Sequence, residues 1–200
     1  VPALSTEELL RVELLRIAVL VVLAALVGAF LSRRNGLPDL GDRHQLRRAA
    51  PWIVGAALSS VLSHAVVGSE VAAALPGQYP CDVRWALVTQ LKGAVFDEVI
   101  ARYGMMTIVM GVVRRAALAN VLQATFFAGV AARALFFDAG GSGPGLDALT
   151  VASVGTSWLV NLACGHVYAR HGLYAAIGVH LAVGLRFPVH ALTAAVCDGG

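Results

Sequence analysis

Apolar residues run along this chain in blocks too long for the core helices of a soluble domain. A membrane-spanning helix needs about 20 mostly apolar residues, and six windows near 12–32, 50–75, 85–113, 116–137, 148–169 and 172–196 meet that pattern. The expectation is an all-α, polytopic membrane helix bundle of about six spans, a single integral membrane domain over residues 1–200. The first window, "RIAVLVVLAALVGAFLS", runs straight into Arg33 and Arg34 without a small-x-small cleavage site, a stop-transfer pattern rather than a cleaved signal. Ser5 with Glu8 reads as a capping box, Glu7 with Arg11 as an i,i+4 pair, and Pro51 suits the first turn of the second helix.

Cations give the orientation. Arg33, Arg34, Arg43, Arg47 and Arg48 fall in the first connection, Arg114 and Arg115 in the third and Arg170 in the fifth. The second and fourth connections carry only Arg84 at a boundary and none in the Gly-rich "DAGGSGPGLD". By the positive-inside rule the odd connections are cytoplasmic, so a six-span protein of the cell membrane has both termini outside.

Composition agrees: 58% of residues are hydrophobic, 14% are charged and mean hydropathy is +0.75, against about one-quarter charged in a soluble domain. A formal charge of +3 without a basic patch excludes a nucleic-acid partner. Cys81, Cys164 and Cys197 lie far apart with no CxxC spacing, and read as small apolar residues rather than a disulfide framework or zinc ribbon. With no HExxH and no histidines at i,i+4, neither a metal nor another cofactor is expected.

The third window breaks the apolar pattern. Lys92, Asp97, Glu98 and Arg102 lie within it, and each charge near the bilayer centre costs ~2.5–3.5 kcal/mol. Glu98 and Arg102, four apart, share a helix face and can pair, while Asp97 is turned about 100° away. Such a cluster either fixes helix packing as a buried ion pair or presents a carboxylate as a general base. His64, His166 and His180 also lie within windows, each more often a helix-to-helix hydrogen-bonding residue than a ligand; Arg186 and His190 can snorkel toward the outer end of the last helix.

"GAVFDEVIARYGMMTIV" resembles the first motif of the CAAX-processing protease and bacteriocin-immunity (CPBP) family of intramembrane proteases: an acidic pair, three residues, then arginine and often glycine, here Asp97, Glu98, Arg102 and Gly104. "NLACGHVYARHGLYAAIGVHLAVG" resembles that family's final block, with His180 at the histidine position. The likeness covers roughly 85–190, leaving the helices in 6–75 as additions. It implies catalytic roles for Asp97, Glu98, Arg102 and His180: the first acid activates water, the arginine braces the second, and the last histidine stabilises the oxyanion. Three positions depart from the family pattern. Asp97 replaces glutamate, Ala131 and Val130 stand where an aromatic-x-x-x-His motif would place histidine, and Gly184 stands where asparagine or aspartate would follow His180. His64 or His166 approaching Asp97, with Asn120, Gln123 or Asn161 as oxyanion donors, is the substitution this allows.

Three functions are therefore in play: a CPBP-type endopeptidase with carboxylate-activated water and a degenerate site, a non-catalytic subunit of the same fold, and a channel or transporter. The partners expected are membrane lipids and a membrane-embedded peptide or partner protein.

Overall fold

The computed structural model describes residues 6–74, 79–133 and 148–193, with the side chains of 6–11, 13–14, 73–74 and 148–150 left aside; no strand occurs among them. Eight helices follow in order: α1 (Thr6–Leu31), α2 (Arg43–Ala74), α3 (Val83–Glu98), α4 (Thr107–Val113), α5 (Ala116–Arg133), α6 (Ala148–His171), α7 (Leu173–Val183) and α8 (Arg186–Thr193). A π-helical segment, Val99–Met106, joins α3 to α4 without interruption. By length and hydropathy three helical stretches can cross a membrane: Arg43–Ala72, Ala116–Arg133 and Leu173–Thr193. The apolar part of α1, Leu15–Leu31, is shorter.

Polarity is distributed inside out. Leu26, Phe30, Leu58, Val66, Val112 and Leu159 are exposed, whereas Glu98, Arg102, Gln123 and Thr107 are buried among alanines. That arrangement suits an apolar solvent, where small residues let helices approach and polar side chains bond across them.

Local chemistry sets the helix ends. Asp42 and Gln45 form a reciprocal capping box, Gln45 N–H donating to Asp42 Oδ1 at 2.7 Å and Asp42 N–H to Gln45 Oε1 at 3.0 Å. This starts α2 at Arg43, so Pro51 lies inside the helix rather than in its first turn, where its missing N–H removes one backbone bond. Asp82 caps α3, accepting from Arg84 N at 2.7 Å and Trp85 N at 3.2 Å. Arg114 ends α4 in the left-handed region at φ 54°. The expected cap at Ser5 and the pair Glu7–Arg11 lie outside the described residues and side chains, as does the Gly-rich connection 138–147.

The connection after α1 closes one end of the bundle. Leu173 N–H donates to Asp39 O at 3.2 Å and Tyr174 N–H to Leu40 O at 3.0 Å, satisfying orphan donors at the start of α7. Gly172 makes the corner at φ 85° and lies so close to the Gly41 backbone that a Cβ would fall 2.6 Å from Gly41 N. Asn35 donates to Thr107 O at 2.8 Å, tying the same connection to α4. At the opposite end Tyr79 packs on His190 and Phe187, with ring centroids 5.1 and 5.2 Å away, and His64 lies 5.5 Å from His190.

One cysteine expectation is corrected. Cys81 is disulfide-bonded, and its other half lies outside the described residues, whereas Cys164 is free and buried. Pairing depends on which segments meet in space, and sequence spacing carries no sign of that.

Candidate active site

Glu98, the last residue of α3, is 1% exposed and sits at the centre of a polar cluster. Its Oε1 lies 2.8 Å from His180 Nδ1 on α7, across 82 residues of sequence. Its Oε2 lies 3.2 Å from Arg102 Nε one turn on. That second contact is an ion pair without hydrogen-bond geometry, and the Cys164 thiol interacts with both Glu98 and Arg102. Arg102 Nη2 donates to Asn161 Oδ1 on α6 at 2.9 Å, and Gln123 Nε2 on α5 donates to the same oxygen at 3.4 Å. Asn161 Nδ2 is spent on Ser157 O at 2.8 Å.

The π-helical segment runs through the middle of the bundle, with α1, α5, α6 and α7 packed around it. Ala101, Arg102, Tyr103, Gly104, Met106 and Thr107, which spread around its circumference, are therefore all buried. π-Helical turns are rare and frequent at functional sites. Thr107 Oγ1 donates to Arg102 O at 3.3 Å, and the Tyr168 hydroxyl lies 3.3 Å from the same Oγ1. Close backbone approach from α1 leaves room for the segment: a Cβ on Gly104 would fall 2.8 Å from Ala24 Cβ, and one on Gly28 would enter the Tyr103 ring.

The structure brings three of the four expected site residues together in direct contact: Glu98, Arg102 and His180. Asp97 stays exposed on the neighbouring face, as the helical period requires, within electrostatic range of His180. The compensating histidines are not there. His64 belongs to the ring cluster with Tyr79 and His190. His166 packs on Trp52, with centroids 5.2 Å apart. Asn120 is committed to Leu162 O at 2.9 Å. Asn161 reaches the cluster by accepting from Arg102 rather than through an acid, and Gln123 reaches it only by donating to Asn161.

At Gly184 the departure from the family pattern has a physical counterpart. A Cβ there would fall 2.7 Å from Gln90 Cγ and Nε2, and the Gln90 amide donates to Leu181 O. An amide from α3 occupies the space that a side chain at 184 would need.

Cys164 is a further member of the cluster, which no sequence motif singles out. Its sulfur lies with a Glu98 oxygen and a His180 nitrogen in one group whose atoms are all within 4.8 Å of one another. A signal was available: Asn161, Cys164 and Tyr168 are spaced i, i+3 and i+7, one face of a helix, and Asn161 and Tyr168 are both polar in an apolar window.

Compared with known protein families, with curated proteins and with solved structures, the chain shows no significant match. The case for function therefore rests on the geometry.

Beside the cluster lies an apolar cavity of about 590 Å³ between α2, α6 and α7. Val179, Val183, Val160 and Ala163 line it, while their chain neighbours His180 and Cys164 turn the other way toward Glu98. Ser60 closes its edge, donating to Val183 O at 2.6 Å, and Arg186 stands at one side.

Proposed function

We propose that the chain is an intramembrane endopeptidase-like protein of the CAAX-processing type, a bundle of six membrane-crossing helical rods with a reduced catalytic set. One observation carries the reading: the second acid of the first motif and the histidine of the last meet at 2.8 Å between α3 and α7. Charged groups inside a membrane are costly and mark function by default. A carboxylate on one imidazole nitrogen orients the ring and steadies its protonated form, the logic of base-assisted hydrolysis. The His180 side chain is 27% exposed while Glu98 is sealed, so an attacking water would give its proton to Nε2 at the outer edge of His180, with Asp97 in electrostatic range of the ring. The cavity beside α7 gives a peptide or its apolar side chain a place within the bundle.

The experiment is hydrolysis of membrane-embedded and lipidated test peptides by the purified chain in vesicles. His180→Gln and Asp97→Asn are each expected to lower cleavage by about 10²–10⁴, the worth of a general acid-base group. Cleavage that survives both substitutions sinks the proposal.

A second reading has one specific observation in its favour: of the amides that reach the cluster, Asn161 accepts from Arg102 and Gln123 donates to Asn161, so neither is placed to hold an oxyanion. In that reading the chain is a non-catalytic subunit that binds a membrane peptide or partner protein, and the cluster is packing glue. Cleavage absent from every peptide, together with co-purification of a stoichiometric partner that depends on the cavity lining, identifies it.

The proposed orientation puts the connections 32–42, 114–115 and near Arg170 in the cytoplasm and the end bearing Cys81 outside. Two observations support it: Asp39 and Leu40 bond the start of α7, gathering those arginine-bearing connections at one end, and a disulfide at Cys81 suits an oxidising exterior.

A further inference from the structure

We propose that Glu98, Cys164 and His180 form a binding site for a zinc-class divalent cation inside the bundle. The donors come from three helices, α3, α6 and α7, and one oxygen, one sulfur and one nitrogen lie within 4.8 Å of one another. Glu98 and Cys164 are buried, and His180 is partly so. Oxygen, imidazole and thiolate together select a borderline-soft ion; a thiolate is no ligand for magnesium or calcium.

A second observation points to a ligand. Glu98 Oε2 has no hydrogen bond of good geometry, and apart from Arg102 the side chains that interact with the Glu98 carboxylate are the two other donors, Cys164 and His180, although an ionised carboxylate carries about four acceptor sites. Arg102 supplies charge at 3.2 Å but not a bond. In a loaded site that guanidinium would be the outer partner that fixes a ligating carboxylate, as outer-shell groups around metals do. Charge also balances over the cluster: the Cys164 thiolate, Glu98 and Asp97 together offset the dipositive ion and Arg102, with Asp97 in electrostatic range of Arg102. Loading releases the thiol proton and the proton shared by His180 and Glu98 to water. Ligands this far apart in sequence form no metal motif.

Three protein ligands leave one tetrahedral position open, the pattern of hydrolytic zinc sites. That last step, a water held at the open position, rests on the hydrolase reading; occupancy of the site does not.

The test uses the full chain in lipid, stripped with a chelator and titrated with Co²⁺. Expected are tetrahedral cobalt bands and a thiolate-to-cobalt charge-transfer band, saturating at one Co²⁺ per chain and displaced by Zn²⁺. Cys164→Ser abolishes the charge-transfer band, and His180→Gln weakens binding by more than the about 10–100-fold that loss of an outer-shell contact costs. His166→Gln, at Trp52, leaves the titration unchanged. Since Glu98→Gln strips Arg102 of its counter-charge, Cys164→Ser is the deciding variant, and Cys164→Asp is expected to restore cobalt binding without the sulfur band. No saturable Co²⁺ binding by the unaltered chain, or a charge-transfer band that persists in Cys164→Ser, overturns the site. Peptide hydrolysis is read separately. Cobalt binding without cleavage keeps the site and removes the hydrolase; cleavage by the stripped protein keeps the hydrolase and removes the metal-bound water.

Discussion

Glu98 and Arg102 are each 1% exposed and four residues apart, so each depends on the other for its charge balance. Breaking a buried pair by removing one partner costs about 3–5 kcal/mol, whereas replacing both by apolar groups of similar volume is often neutral. Glu98→Leu and Arg102→Met are therefore each expected to lower the thermal midpoint of the detergent-solubilised protein sharply, and the double variant to recover most of the loss. A double variant as unstable as the singles would mean that Asn161 and His180, not the ion pair, dominate the cluster. Asp97 belongs to a different class. It is exposed on the neighbouring face, so Asp97→Asn should lower the thermal midpoint far less than Glu98→Leu, while the peptide assay reports its chemical role. The acid pair and its split into one paired and one free member were legible from the 100° step of the helix. The bond from Glu98 to His180 was not, because a contact between helices depends on how two rods are rotated about their axes.

At the scale of elements, α3 and α7 lock through Gln90 and Gly184. Gly184→Asn puts the residue expected from the CPBP pattern into space that Gln90 occupies, since a Cβ alone would lie 2.7 Å from its side chain. Overpacking of this kind costs about 1–3 kcal/mol. A second change, Gln90→Ala, should relieve it, and non-additive melting of the pair would measure the coupling. The π-helical segment makes a parallel claim: Gly104→Leu would drive α1 off at Ala24 and is expected to loosen α1 without unfolding the rest, read as faster amide exchange confined to α1 and the segment. The sequence showed a continuous apolar window from 85 to 113 broken by charges, but not that its middle is π-helical. The i→i+5 register is rare beside i→i+4, so no local pattern announces it, and packing against α1 and its neighbours holds it in place. Pro51 illustrates the opposite error: local preference for a first-turn proline was overridden by a stronger local signal, the Asp42–Gln45 capping box.

For the whole molecule, orientation is open to a direct test. Intact cells treated with a membrane-impermeant reductant and then an impermeant thiol reagent should label Cys81, whereas Cys164, buried in the bundle, should stay unlabelled until the protein is denatured. Labelling of Cys81 only after the cytoplasmic face is opened would reverse the proposed topology. What needed only chain neighbours was readable from the chain: the all-helical, apolar character and the acidic pair with its arginine. Six apolar windows were expected to span, and three helical stretches among the described residues are long and apolar enough to do so; apolar transfer adds along the chain, so composition carries the membrane character. The site is another matter. Cys164 joining Glu98 and His180, Gln90 filling the space beside Gly184, Asn161 turning to Arg102, and His64 and His166 staying away all follow from the packing of α3, α5, α6 and α7 against one another. Those relations depend on helix rotation and close approach between segments many residues apart, and only the folded bundle fixes them.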